Sequence, residues 1–264
     1  MNMKKYLSFA AFAILFPMMV FSQNQTIKKS KVTTSKTAQK PKQAGPKQQS
    51  AQQQSKTTNS PCPDNHHPHA IDLGAAGVWA CCNVGASRPE NYGYYFAWGE
   101  TSPKSDYSWD TYKWGKDYGE LTKYCNFAAY GKNGFTDDKN TLDFSDDAAY
   151  ANWGSNWRMP TSSEVEILIN NTNSEWVENY NGTGVKGYKF TNKNDPLKYI
   201  FLPAAGFRDG TSYNDVGSGG FYCSSSLGFR TFLTYYLFFY QYDVCLDASD
   251  GRRYYGRSVR PIQQ

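Results

Sequence analysis

No histidine follows residue 69 in this chain of 264. That absence removes a Ser-His-Asp triad, a Cys-His pair and any histidine-held metal centre from the whole stretch 71–264. Hydrolytic chemistry there would have to rest on carboxylates. Acidic residues are missing from the first 60 positions, since all 23 of them come later. Long apolar runs are also missing after residue 21. The greasiest later stretch, Phe232 to Tyr240, has nine residues, too few to cross a bilayer, and reads as a buried strand. Leucine and long amphipathic periods are scarce in 71–264, and no repeat recurs at solenoid spacing.

The first 22 residues have the pattern of an export signal. Lys4 and Lys5 precede an uncharged, mostly apolar run from Tyr6 to Phe21. Val20-Phe21-Ser22 predicts cleavage before Gln23. No cysteine stands at that point, so a bacterial lipid anchor is not indicated; an uncleaved membrane anchor is the alternative. From Gln23 to Pro61 the chain is almost wholly Lys, Gln, Ser, Thr, Ala and Pro, with eight lysines and no acid. Too little apolar surface is available to offset ordering, so residues 23–70 are expected to be a disordered basic tether. Two of the 28 basic residues fall in the signal and eight in the tether, leaving 18 against 23 acids, a net −5 for the remainder. The basic pI therefore belongs to an appendage. With export, its expected contacts are envelope polymer or acidic glycan, or none if it is a plain spacer, rather than nucleic acid.

Residues 71–264 suffice for one domain with a substantial core. They hold 12 Phe, 20 Tyr and 7 Trp. Two short helices are expected. The first runs from Asp147 to Trp153, capped by Ser145 or Asp146 and stopped by Gly154. The second opens on Thr161 with Glu164 three residues on, a capping box, and carries Val165, Leu168 and Ile169 on one stripe. Strands are expected at 185–191, 199–202, 221–225, 232–240, 242–246 and 253–260, with Asn192 to Pro196 joining the first two. Residues 206–220 read as loop. Residues 86–145 show no clean period, and a loop of that length with so many rings is expected to be ordered and functional.

Several residue groups carry candidate chemistry. Cys62, His66, His67 and His69 cluster at the end of the tether, a weak set of zinc or copper ligands restricted by Pro63 and Pro68. Asp137, Asp138, Asp143, Asp146 and Asp147 would admit a structural calcium, though not at EF-hand spacing. No other cofactor is indicated. Glu100, Asp106 and Asp110 lie near Trp98 and Trp109, which leaves room for a carboxylate-dependent carbohydrate-active enzyme. The densest signal is aromatic: ten rings between residues 92 and 118, interleaved with Gly, Ser, Asp and Lys. Tyr94, Trp98, Tyr107, Trp109, Tyr112 and Trp114, with Glu100, Tyr213 and Phe229, are the expected binding residues, because Tyr and Trp give large contact area for little rotamer freedom. About half of the rings between 92 and 118 are expected to be exposed.

Longer phrases point to a family. They include Ile71-Asp72-Leu73-Gly74, Cys82-Asn83-Val84-Gly85-Ala86, Tyr95-Phe96-Ala97-Trp98-Gly99-Glu100-Thr101, Trp153-Gly154-Ser155-Asn156-Trp157-Arg158-Met159-Pro160-Thr161, Phe201-Leu202-Pro203-Ala204-Ala205-Gly206-Phe207-Arg208 and Tyr255-Gly256-Arg257-Ser258-Val259-Arg260-Pro261. Over 71–264 the chain resembles the major paralogous domain first named from Fibrobacter succinogenes and abundant in exported proteins of Bacteroidetes. The resemblance implies an α+β, C-type-lectin-like fold: two short helices, small antiparallel sheets, long ordered loops, and first and last strands brought together. It supplies no catalytic residues. The chain departs from the family pattern at Cys81, where threonine is common, and Cys223, where tryptophan is common. Those paired departures suggest a Cys81–Cys223 disulfide, permitted by export; the other reading is two small buried hydrophobes. The sugar-reading triplets of calcium-dependent lectins are absent.

The expected function is an exported, non-enzymatic recognition or surface-display domain. It would bind an extracellular or envelope protein or glycan through loops 86–135 and 206–232, with no transmembrane segment once the signal is removed. A carbohydrate-active enzyme and a structural envelope protein are the alternatives.

Overall fold

The hydroxyl of Thr161 accepts from the Glu164 amide at 3.2 Å, and the Glu164 carboxylate accepts from the Thr161 amide at 2.8 Å. This reciprocal cap starts α2 (Ser162–Asn171) where the sequence places it. Arg158 clamps the same carboxylate through both terminal nitrogens. The shorter α1 (Ala148–Trp153) begins one residue later than expected, because Asp147 is the cap and not Ser145 or Asp146. Its carboxylate accepts from the amides of Ala149, Tyr150 and Met159, so it fixes the helix start and the strand after it together.

A computed structural model describes residues 66–264. The expected signal peptide, the tether up to residue 65 and Cys62 lie outside the described residues. Among the described residues no helix is long and apolar enough to cross a membrane. In chain order the strands are β1 (Ala70–Asp72), β2 (Val78–Ala80), β3 (Tyr95–Phe96), β4 (Trp157–Arg158), β5 (Thr172–Val177), β6 (Gly187–Asn192) and β7 (Tyr199–Pro203). They continue with β8 (Phe207–Asp209), β9 (Ser212–Asn214), β10 (Gly220–Leu227), β11 (Thr234–Tyr240), β12 (Asp243–Asp247), β13 (Arg257–Ser258) and β14 (Ile262–Gln263). The fold is mixed α+β, with short helices and small, mostly antiparallel sheets.

Four strands form one sheet in the order β1-β2-β14-β4, so the last strand sits between two early ones, with Ile262 opposite both Trp79 and Arg158. A second sheet runs β12-β11-β10-β13-β3, with β10 and β13 parallel at Tyr222 and Ser258. The third is the antiparallel meander β5-β6-β7, and β8 and β9 form a hairpin inside the 206–220 stretch expected to be loop. β5 was not expected, and the 253–260 strand shortens to β13. Residues 86–145 hold one two-residue strand and several single 3₁₀ turns, as their lack of period implies.

The main core lies between α2 and the sheets. Val165 and Leu168 pack with Trp79, Phe190, Ile200, Leu202, Leu237 and Phe239. Three arginines are almost completely enclosed: Arg253, Arg257 and Arg260. They are met by carbonyls and rings. Arg260 donates to Asn83 Oδ1, to the Ala80 and Cys81 carbonyls and to the Phe201 carbonyl. Arg257 donates to the Arg252 and Asp250 carbonyls and lies 4.2 Å from the Tyr236 ring centre. Burial pulls its pKa below the usual guanidinium range.

The acidic segment is wired to protein donors. Asp137 accepts from the Tyr124 and Cys125 amides. Asp143 pairs with Lys123 and Lys139. Asp146, buried, pairs with Lys113 and Lys123 and accepts from the Tyr124 hydroxyl. These carboxylates are therefore already engaged rather than turned toward one another around a calcium. Burial alone would raise the Asp146 pKa, but Lys123, Tyr124 and Lys113 outweigh it and hold the group below its ordinary value. A depressed folded-state pKa adds stability that is complete above the unfolded value of about 3.9 and lost as pH falls through the folded one. Asp146→Asn is expected to lower stability at pH 7 by about 1–3 kcal/mol. It should also flatten the decline of melting temperature below about pH 4. Thermal melts from pH 2 to pH 7 read both effects, and an unchanged acid limb would refute the assignment.

The expected Cys81–Cys223 bridge is not formed. Cys223 is a free thiol, buried in the cluster of Phe96, Trp98 and Met159, with its sulfur directed at the Phe96 carbonyl. The second sequence-based reading, a small buried hydrophobe, fits Cys223. Burial pushes its pKa up to about 11, which makes it a poor nucleophile.

Candidate functional site

A cleft of about 550 Å³ opens between the loops, lined by Trp109, Asp117, Tyr118, Tyr130, Arg230, Phe232, Arg252 and Tyr254. Each wall has a local cause. A 3₁₀ turn, Trp109–Thr111, places Trp109, and the Thr111 hydroxyl ties that turn back to the Asp106 carbonyl at 2.7 Å. Another turn, Ala128–Tyr130, places Tyr130. It is held by the Leu121 amide on the Tyr130 carbonyl and the Lys132 amide on the Leu121 carbonyl, both 2.9 Å. Phe232 sits in a tight return between Gly228 and Leu233, closed by the Gly228 amide on the Leu233 carbonyl at 2.9 Å. Gly251 lets the fourth wall approach: a Cβ there would lie 2.1 Å from the Thr234 carbonyl oxygen.

The rings meet at angles. Phe232 stands 5.8 Å from Tyr118 and 5.1 Å from Tyr130, with interplanar angles of 58° and 78°, and Trp109 lies 5.0 Å from Tyr254. The result is a cradle of ring faces and edges. Its polar groups are Arg230, Arg252 and Asp117, all exposed. Arg252 donates to the Tyr254 hydroxyl at 3.1 Å and pairs with Asp250 at 3.3 Å, which fixes its guanidinium beside the opening. Asp117 accepts from the Gly119 amide and shapes its own turn.

Arg253 is built underneath. Its guanidinium lies 4.8 Å from the Trp98 ring centre and 5.6 Å from that of Tyr112. It donates to the carbonyls of Lys123, Tyr124 and Thr231. One buried cation thus ties the 117–130 wall to the 228–233 wall.

Of the nine expected binding residues, Trp109 alone lines this cleft. Trp98, Tyr107 and Tyr112 are core: the indole of Trp98 donates to Ser224 O, and the two hydroxyls donate to Tyr95 O and Trp98 O. Trp114 is half-buried, bonded to Gly99 O and covered by the Lys113 ammonium at 4.2 Å. Glu100 pairs with Lys104 and accepts from the Lys113 amide, so it ties the loop together. Tyr94, Tyr213 and Phe229 are exposed but stand apart from the cleft lining. Tyr213 stacks on Arg208 at 4.3 Å, and Phe229 neighbours Arg230. Of the ten rings between 92 and 118, Tyr94 and Tyr118 are exposed, Tyr92, Trp109 and Trp114 are half-buried and the other five are buried, where Tyr95, Tyr107 and Tyr112 found carbonyl partners for their hydroxyls. The other seven lining residues, Asp117, Tyr118, Tyr130, Arg230, Phe232, Arg252 and Tyr254, were not among the nine. Local signals were present for Tyr118, at the end of the dense aromatic stretch, and for Arg252 and Tyr254, just after the turn glycine Gly251.

His67 is brought against Cys81 and Cys82, while His69 touches Cys81 through its backbone amide and His66 is exposed. Comparison with protein-family models, with curated proteins and with solved structures finds no match to this chain.

Proposed function

We propose that this chain is an exported recognition domain and that the cleft at Trp109, Tyr118, Tyr130, Phe232 and Tyr254 binds an acidic oligosaccharide. The observation that carries the reading is the combination of ring faces with two arginines at one concave opening. Sugar rings offer C–H faces that pack on aromatic surfaces, and a carboxylate or sulfate on the sugar suits a guanidinium. A volume near 550 Å³ falls in the range of small-ligand sites. Asp117 is the one carboxylate in the lining, whereas glycoside hydrolysis ordinarily needs two. That favours binding over turnover.

The family reading belongs to the same proposal. A C-type-lectin-like major paralogous domain has its first and last strands together, two helices and a long loop region with the binding face. The pairing of β14 with β2, the helices α1 and α2, and the strand-poor stretch 86–145 support it. The apolar run behind Lys4 and Lys5 supports export.

Calorimetry with uronic-acid and neutral oligosaccharides of equal length tests the proposal. Tyr118→Ala is expected to weaken the acidic ligand by about tenfold or more with little change in melting temperature, since the ring is exposed. Arg230→Ala should weaken the acidic ligand alone, and more so at low salt. Equal affinity of the wild type for both sugars, or indifference to both substitutions, would sink the reading.

A further inference from the structure

Among the described residues, one cluster of metal-ligating side chains comes together: His67, Cys81 and Cys82, whose donor atoms all lie within 4.8 Å of one another. It shares no residue with the cleft. In a continuing strand, successive side chains point to opposite faces. β2, however, ends at Ala80, and Cys81 and Cys82 lie in a bend, so both sulfurs turn to the same imidazole. His67 Nδ1 is 3.3 Å from Cys81 Sγ and 3.6 Å from Cys82 Sγ. One ring nitrogen has either one proton or one lone pair, so it cannot make a full hydrogen bond to both sulfurs. A tetrahedral ion explains both approaches. With Zn–S near 2.3 Å and Zn–N near 2.0–2.1 Å, the N···S edge of the tetrahedron is about 3.5 Å.

The surroundings suit two thiolates. Cys81 and Cys82 are fully buried and His67 is half-buried. The His69 amide donates to Cys81 Sγ at 3.2 Å, and the Arg260 guanidinium donates to the Cys81 carbonyl at 3.1 Å. The amide places positive character next to Cys81 Sγ, as an outer partner of a metal site does, and the arginine fixes the Cys81 backbone. The frame is rigid, because Ala70 pairs with Ala80 and the Cys81 amide donates to His69 O at 2.9 Å.

The geometry points to a zinc site made by His67 Nδ1, Cys81 Sγ and Cys82 Sγ. Binding takes two thiols and a neutral imidazole, places Zn²⁺ among them and releases two protons to water, so the ion with its two thiolates carries no net charge. That balance is what a buried site requires.

The test uses the full chain, reduced and stripped of metal. Cobalt(II) titration of the wild type should give a thiolate-to-cobalt charge-transfer band and the intense visible bands of tetrahedral cobalt, saturating at one equivalent. Zinc should displace it and co-elute at one ion per chain. His67→Gln and Cys82→Ser should each weaken zinc by more than the roughly 10–100-fold that loss of an outer partner costs. Cys245→Ser, outside the cluster, should leave the spectrum unchanged. A wild type with no charge-transfer band would overturn the site outright, even if the cysteine variants fail to fold. So would zinc uptake indifferent to both His67→Gln and Cys82→Ser.

Discussion

Arg260→Met is expected to destabilise the domain by about 3–5 kcal/mol, at about 1 kcal/mol or more for each buried acceptor left without its donor. Arg260 serves four acceptors from three places in the chain: Asn83, the end of β2 at Ala80 and Cys81, and Phe201 in β7. No carboxylate stands opposite it, so the loss comes from stranded carbonyls and not from an orphaned charge. Arg260→Lys should not rescue, since an ammonium cannot span acceptors on opposite sides of a planar fork. In urea, with a slope of about 1–3 kcal/mol per molar, both variants should shift the midpoint by roughly 2 M. A shift under about 0.5 M for either would show that water or backbone movement satisfies those carbonyls.

Arg253→Leu is expected to act differently, by releasing the cleft walls before the core fails. The three carbonyls it serves belong to Lys123, Tyr124 and Thr231, on the two walls, and its ring contacts are Trp98, Tyr112 and Tyr124. Native-state hydrogen exchange should show the amides of Leu121, Tyr130 and Lys132 exchanging at least about 100-fold faster, a local loss near 3 kcal/mol. Amides in β6 and β7 should follow only the change in global stability. Uniform acceleration throughout would mean that Arg253 holds the core and not the walls.

Local chemistry was legible in the sequence, and tertiary choice was not. The α2 cap needs only Thr161 and Glu164, four residues that fold on themselves. Asp147 took the cap of α1 because its carboxylate also meets the distant Met159 amide, which no local pattern announces. β5 was invisible since Thr172–Val177 exposes three successive residues and lacks alternation; pairing along β6 makes it a strand. The aromatic wealth of 92–118 was plain, yet which rings turn inward depended on carbonyls for Tyr107 and Tyr112 to reach. Two of the cleft residues, Phe232 and Tyr254, come from segments that read as strand. Cys81 and Cys82 lie opposite His67 only because β1 and β2 pair in one register. That register was not read from the short segment between them.

The place of β14 between β2 and β4 has a temporal meaning. Trp79 appears early in synthesis and waits for Ile262, at the far end of the domain, before the sheet that holds both can close. Contacts so distant in sequence form slowly. A chain interrupted before Arg260 also lacks the guanidinium that gathers Ala80, Cys81 and Phe201. An incomplete domain therefore has an open sheet and stranded carbonyls together, and cannot rest in a nearly native form. The pairing of β14 between β2 and β4 therefore acts as the latch of that sheet.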